Sequence, residues 1–209
     1  MDFNLVKIFP QPVLQTKLII EPEWMKHINS IEFIRNVHNN GYVSTDFKVL
    51  NTEKLKTLKS KINNVIKNYM EEHLKISNKL KITASWVMKH VKNDFAQTHL
   101  HQNSIISGVL YLQTKKGAGD LIFARQNFLT ETFAFDRIED TALNTHQLAF
   151  NTEPGVLLVF PSNLSHYTLT MPFDNYERIC LSFNTFISDT IGKGDNRIEL
   201  TPEVDPQHD

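Results

Sequence analysis

The chain has 209 residues, of which 41% are hydrophobic and 22% charged, with a formal net charge of -1. That length and balance fit one soluble globular domain with a sizeable core, and near-zero charge offers no general attraction to nucleic acid or an anionic membrane. A single cysteine, Cys180, excludes an internal disulfide and fits a reducing, cytoplasmic compartment; no stretch reaches the ~20 apolar residues of a membrane span, and charge and proline interrupt any signal-peptide core near Met1.

In chain order, Leu5–Phe9 and Val13–Ile20 read as short strands broken by Pro10 and Pro12. Glu21-Pro22-Glu23 opens a helix, with Trp24, Ile28, Ile31 and Ile34 at helical spacing and Asn39-Asn40-Gly41 as its stop. A second helix is expected from about Thr52, its cap, to Leu74, with Leu55, Leu58, Ile62, Val65, Ile66 and Tyr69 as the apolar stripe. Lys56, Lys59 and Lys67 lie opposite that stripe and read as a solvated face.

From Lys81 onward strand formers replace the helical stripe. Strands are expected at about 81–92, 104–113, 119–125, 131–135, 145–150, 156–160, 166–171 and 176–186, with a hairpin turn at Lys115–Gly119. Many short strands after two helices indicate a mainly β chain, a sandwich or jelly roll. Arg125–Gln147 is a polar insertion carrying Phe128, Phe133 and Phe135, either a lid or a loop pinned by its aromatics. Residues 192–209, rich in charge with two prolines and two glycines, read as a mobile C-terminal tail. The chain therefore divides into one domain over 1–191, with helical support at about 21–75 and a jelly-roll core at about 80–186, and that tail.

The chemistry concentrates in three places. His99-Leu100-His101 puts two imidazoles on one face if the backbone is extended, where both could meet a metal ion; two solvated loop histidines are the alternative. The apolar run Val109–Leu112 carries that site into the core, with Tyr111 at the same parity as the histidines. Glu153-Pro154-Gly155 leads into a buried strand ending at Pro161, and His166 starts the next. Arg178 is embedded in the apolar strand that begins at Tyr176 and runs through Ser182, which requires an anion: either a carboxylate such as Glu177 or Asp174, or a carboxylate ligand suited to the planar guanidinium.

Together these motifs resemble the 2-oxoglutarate- and Fe(II)-dependent oxygenases, in a bacterial and phage branch related to the prolyl-hydroxylase-like enzymes. The resemblance covers about residues 80–186 and implies a double-stranded β-helix of cupin-like jelly-roll form. It assigns His99 and His166 as metal ligands, and Arg178 and Tyr111 to the distal carboxylate of 2-oxoglutarate. It further implies oxidation of a substrate C–H bond, most simply hydroxylation, with dioxygen consumed and succinate and carbon dioxide released. The substrate, a small molecule or a protein, is not identified, and neither a membrane nor nucleic acid is expected as partner.

Two positions depart from the familiar pattern. His101 stands where the usual facial triad has a carboxylate, so iron would be held by three neutral histidines and depend on the 2-oxoglutarate dianion for charge compensation. Three such ligands also suit zinc, copper or nickel, and Asp120 is the nearest carboxylate that could join from elsewhere. If His101 does not ligate, the vacancy would permit halide binding. The second departure is Cys180, where many relatives have a hydroxyl; Ser182 shares its parity but lies about 7 Å further along. Another metal-dependent cupin and a non-enzymatic jelly-roll module are the competing readings. Of the remaining histidines, His27, His38 and His73 are expected on helix surfaces, His90 at the surface of its strand with the barrel mouth as the alternative, and His146 beside the insertion with substrate contact as the alternative; Trp86 is expected in the core.

Overall fold

The computed structural model describes residues 1–6, 10–36, 40–125 and 134–200. Among the described residues two helices, α1 (Pro22–Ile28) and α2 (Lys56–Asn68), accompany twelve strands. These are β1 (Leu14–Lys17), β2 (Phe33–Asn36), β3 (Gly41–Ser44), β4 (Leu80–His90), β5 (Ile106–Gln113), β6 (Leu121–Ala124), β7 (Gln147–Phe150), β8 (Val156–Pro161), β9 (His166–Thr168), β10 (Arg178–Ile187), β11 (Thr190–Ile191) and β12 (Ile198–Glu199). A seven-stranded sheet in the order β1-β8-β5-β10-β4-β3-β2 faces a three-stranded sheet, β7-β6-β9, and the pair is a double-stranded β-helix. All the pairings are antiparallel.

The large sheet is buried on both faces, which explains the unbroken apolar runs of β5 and β8. On one face Leu110, Leu112, Leu157, Val159, Ile179, Leu181 and Phe183 pack with Trp24 and Ile28 of α1 and Leu58, Ile62 and Ile66 of α2. On the other, Val109, Tyr111, Leu158, Phe160 and Cys180 meet Leu121 and Phe123 of the small sheet. The helices thus cover the outside of the roll and leave its interior to the inward series of side chains. Arg35 reaches across to the buried Asp94 with two bonds of 2.6 and 3.1 Å, and Asp94 also accepts from Val91 N–H. This pins the turn that follows β4.

The first helix is shorter than its periodicity implies. It ends at Ile28, and Phe33–Asn36 pairs with Gly41–Ser44 as a hairpin. Ile34, expected on the apolar stripe, is about half exposed on β2. Asn40-Gly41 therefore reads as a hairpin signal rather than a helix stop, with Asn40 in the left-handed region at φ 40°. The second helix is entered through a 3-10 turn at Glu53–Leu55 and leaves through a π turn at Tyr69–His73. Thr52 makes no side-chain capping bond. Tyr69 instead anchors the exit, donating to Pro12 O at 2.8 Å.

The chain turns at Lys115–Gly119 as expected, with Gly117 at φ 78° and Gly119 at φ 88°, but the turn is not a hairpin: it carries the chain from β5 of the large sheet to β6 of the small one. Residues 5 and 6 form no strand, and 7–9 lie outside the described residues. The same holds for His38 and Asn39, for Phe128 and Phe133 with positions 131–133 of the strand expected at 131–135, and for tail residues 201–209; positions 134 and 135 of that strand are described and form none. The described part of the tail contributes β12, which pairs with β11. No helix among the described residues is long and apolar enough to cross a membrane.

Candidate metal centre

His99 and His166 meet across an isolated antiparallel bridge: each backbone N–H donates to the other's carbonyl at 2.9 Å. His101 is tied to the same end of the roll by its own N–H, which donates to Ser162 O at 2.9 Å. The chain between His99 and β5 is not one extended strand, since Asn103 turns it at φ 54°. These ladder bonds, more than simple alternation, bring the imidazoles together. Ring centroids are 4.4 Å apart for His99 and His166, 5.1 Å for His101 and His166, and 5.4 Å for His99 and His101. One ligand nitrogen from each lies within 4.8 Å of the others, and this is the one such cluster of His, Cys, Asp or Glu among the described residues.

Each ring is oriented through Nδ1. His99 bonds Gln97 O at 2.7 Å, His166 bonds Leu164 O at 2.9 Å, and His101 bonds the Asn184 side-chain oxygen at 2.5 Å. Those oxygens accept, so Nδ1 carries the proton and Nε2 keeps its lone pair for a metal. Burial lowers the basicity of His101, partly offset by the Asn184 bond and reinforced by the neighbouring His99. Burial, with His99 beside it, drives His166 down to about 3. Both effects favour the neutral, ligating form. The donor set fits one borderline divalent ion, with no carboxylate in the group.

Behind the histidines the interior narrows to a cavity of about 70 Å³ lined by Met88, Tyr111, Thr168, Arg178, Cys180 and Ser182, among others. That is room for about five waters at ~10–15 Å³ each. Arg178 closes its far end and is 1% exposed. Its Nη1 donates to Ala118 O at 3.2 Å and to Gly119 O, and its Nη2 to Thr168 Oγ1 at 3.2 Å and to His90 Nδ1. Glu177 and Asp174, the carboxylates open to it in the sequence, are turned to Lys89 and Lys92. Among the described residues no carboxylate pairs with Arg178, and its buried Nε–H has no acceptor. A full buried charge held only by neutral groups calls for an anion. Tyr111 lines the same space, and burial raises its phenol far above the usual range, so it remains an O–H donor. Burial likewise raises the Cys180 thiol.

Three residues depart from their expected places or were not singled out. His90 is not a surface group: it is 2% exposed, directly opposite Arg178 in the β4–β10 register. The parity Trp86, Met88, His90 carried that signal, because the first two also line the cavity. Trp86 packs as expected, its ring 5.7 Å from that of His101. Asn184 continues the inward series of Arg178, Cys180 and Ser182, and only that parity could have pointed to it. Asp120 is not in the histidine cluster.

A second cleft of about 370 Å³ opens between the edges of the two sheets, lined by Val13, Phe123, Arg125, Leu143, His146 and Leu148 among others. Phe123 forms the wall toward the histidines, its ring 5.8 Å from His166 and 4.9 Å from Phe160.

Residues 84–184 match the family model described as "Putative 2OG-Fe(II) oxygenase". Among curated protein sequences none matches the chain. Solved structures share the fold at low identity. A 2OG-Fe(II) oxygenase family oxidoreductase from Burkholderia pseudomallei is 14% identical, with TM-score 0.58 and 83% of each chain covered. HygX from Streptomyces hygroscopicus, solved with nickel, 2-oxoglutarate and hygromycin B, is 10% identical, with TM-score 0.59 over 85% of this chain and 84% of that one. A prolyl-4-hydroxylase from Pseudomonas putida is 14% identical, with TM-score 0.52 over 83% of this chain and 92% of that one.

Proposed function

We propose that this chain, whose residues 84–184 match the putative 2OG-Fe(II) oxygenase family model, is a hydroxylase whose iron is held by His99, His101 and His166. The observation that supports this reading is the shared orientation of the three imidazoles, each with Nδ1 engaged and Nε2 left to converge. When bound, iron with 2-oxoglutarate and dioxygen supplies the oxidant for a substrate C–H bond, with succinate and carbon dioxide as coproducts.

The chain's own residues do the rest. Arg178 receives the distal carboxylate of 2-oxoglutarate, its unpartnered Nε–H giving that carboxylate a donor. Tyr111 donates a second bond from its protonated phenol, and Ser182 lines the passage between arginine and histidines. Phe160 and Trp86 keep water from the metal side. The cleft behind Phe123 is where the substrate docks, and its volume lies within the ~300–1,000 Å³ range of small-molecule sites. Residues 1–191 act as one unit, because the helices pack directly on the sheet that carries the site. The single buried cysteine supports a reducing, cytoplasmic setting.

The test is anaerobic titration of Fe(II) followed by 2-oxoglutarate. One iron per chain and saturable binding of 2-oxoglutarate that requires the metal are expected. No binding of 2-oxoglutarate at millimolar concentration would overturn the reading and favour another metal-dependent cupin.

A further inference from the structure

His99 and His166 are oriented by main-chain carbonyls, groups that can only accept and that no side-chain substitution removes. His101 differs. Its Nδ1 partner is a side chain, the Asn184 carboxamide, which could present either oxygen or nitrogen. If the nitrogen faced the ring, His101 would accept at Nδ1 and carry its proton on Nε2, where it could no longer bind a metal. The end of the amide that faces His101 therefore decides whether the site has three ligands or two.

A cluster of hydroxyls lies against that carboxamide. Ser107 Oγ donates to the same Asn184 oxygen at 2.9 Å, so two donors converge on one acceptor. Ser107 Oγ in turn lies 2.7 Å from Ser162 Oγ, which is 2.8 Å from Ser104 Oγ. Ser104 ends the chain on main-chain groups, donating to Ile106 O at 3.1 Å or to Thr185 O at 3.2 Å. Ser107 and Ser162 are fully buried. Ser107 has one hydroxyl proton, and giving it to Asn184 keeps the carboxamide oxygen on the side of His101.

On the reading that the histidines bind iron, we infer that Asn184 is the positioning residue that makes His101 a ligand, with Ser107 donating to the same carboxamide oxygen. Asn184 stands just before the β-bulge of β10, where the register shifts between Asn184 and Thr185 and the strand changes course.

The test compares the full-length protein with its Asn184→Leu and Asn184→Asp variants in two measurements. The first is 15N NMR of the imidazole rings in metal-free protein, which reports the tautomer of each histidine. The second is the affinity for Co(II) at pH 8. In Asn184→Leu, His101 should lose its Nδ1–H preference while His99 and His166 keep theirs, and Co(II) affinity should fall roughly 10–100-fold. Asn184→Asp retains an acceptor and should restore both the tautomer and the affinity. An unchanged His101 tautomer in Asn184→Leu overturns the inference, as does Co(II) affinity equal to that of the unmodified protein. An Asn184→Asp variant as weak as Asn184→Leu also overturns it, since the carboxamide would then serve packing alone. If the unmodified protein binds no Co(II), the metal reading fails, while the tautomer measurement still judges Asn184.

Discussion

His99 and His166, 67 positions apart, exchange two main-chain hydrogen bonds of 2.9 Å, and their rings stand 4.4 Å apart between centroids. The pair is held by main-chain groups and not by its imidazoles, so metal binding need not organise the fold.

Metal occupancy should therefore be separable from folding. His99→Ala and His166→Ala should each abolish stoichiometric Fe(II) binding and succinate formation while far-ultraviolet circular dichroism stays unchanged. Loss of secondary structure in His99→Ala, whose ring is partly open to solvent, would show that the metal site is needed for the roll to form.

Arg178 should govern the cosubstrate and not the metal. Charge-assisted hydrogen bonds contribute ~1.5–3 kcal/mol each, so Arg178→Met should weaken 2-oxoglutarate binding by roughly 10–100-fold. Calorimetric titration of 2-oxoglutarate into the Co(II) form measures this, and Co(II) affinity itself should not change. A loss of both together would place the arginine in the scaffold instead.

Gly41 is a distant control on the same arginine. A Cβ there would lie 2.3 Å from Cδ2 and 2.7 Å from Nε2 of His90, whose Nδ1 accepts from Arg178. Gly41→Ala should press His90 onto the guanidinium and raise the Kd for 2-oxoglutarate several-fold, with Co(II) affinity preserved. The same titration checks it, and wild-type affinity would mean that β3 yields instead.

Acid should destabilise the metal-free protein through His166. Its folded pKa is lowered to about 3 from an ordinary 6.5, so between those values the unfolded chain binds the proton and the folded one does not. Stability present above about pH 6.5 is thus lost as pH falls toward 3, by at most ~1.4 kcal/mol per pH unit for this one group. Urea unfolding at pH 7, 6 and 5 should show a shallower fall in His166→Gln than in the unmodified protein. Parallel profiles would remove His166 as the cause.

The supporting helix should be felt in stability alone. Leu58→Ala opens a cavity where α2 meets the outer face of the large sheet, at a cost of about 2–5 kcal/mol. Thermal unfolding should drop by roughly 5–15 °C, with Co(II) and 2-oxoglutarate affinities unchanged well below the midpoint.

Much of the site was legible because its chemistry is local in sequence. His99, His101, His166, Arg178 and Tyr111 each sit beside an apolar strand whose alternation fixes a direction, and the structure gathers all five around one interior. The misreadings share a physical cause. Ile31 and Ile34 fit helical spacing, but β-branched residues before an Asn-Gly turn satisfy a hairpin equally well, and pairing with β4 through β3 decided the outcome. His90 was expected at the surface because nothing nearby in sequence explains a buried histidine; its partner, Arg178, lies 88 residues away. Asn184 carried no signal beyond parity, and its side-chain partners, His101 and Ser107, lie 83 and 77 residues away.

The alternation along β10 has one more consequence. Ile179, Leu181 and Phe183 belong to the helix-backed core, while Arg178, Cys180 and Ser182 line the cavity and Asn184 touches a histidine. Two independent vocabularies are interleaved in a single stretch of ten residues. Substitutions in the even series can reshape the cavity and the histidine's support while the odd series keeps the sheet folded, so the two can change one residue at a time.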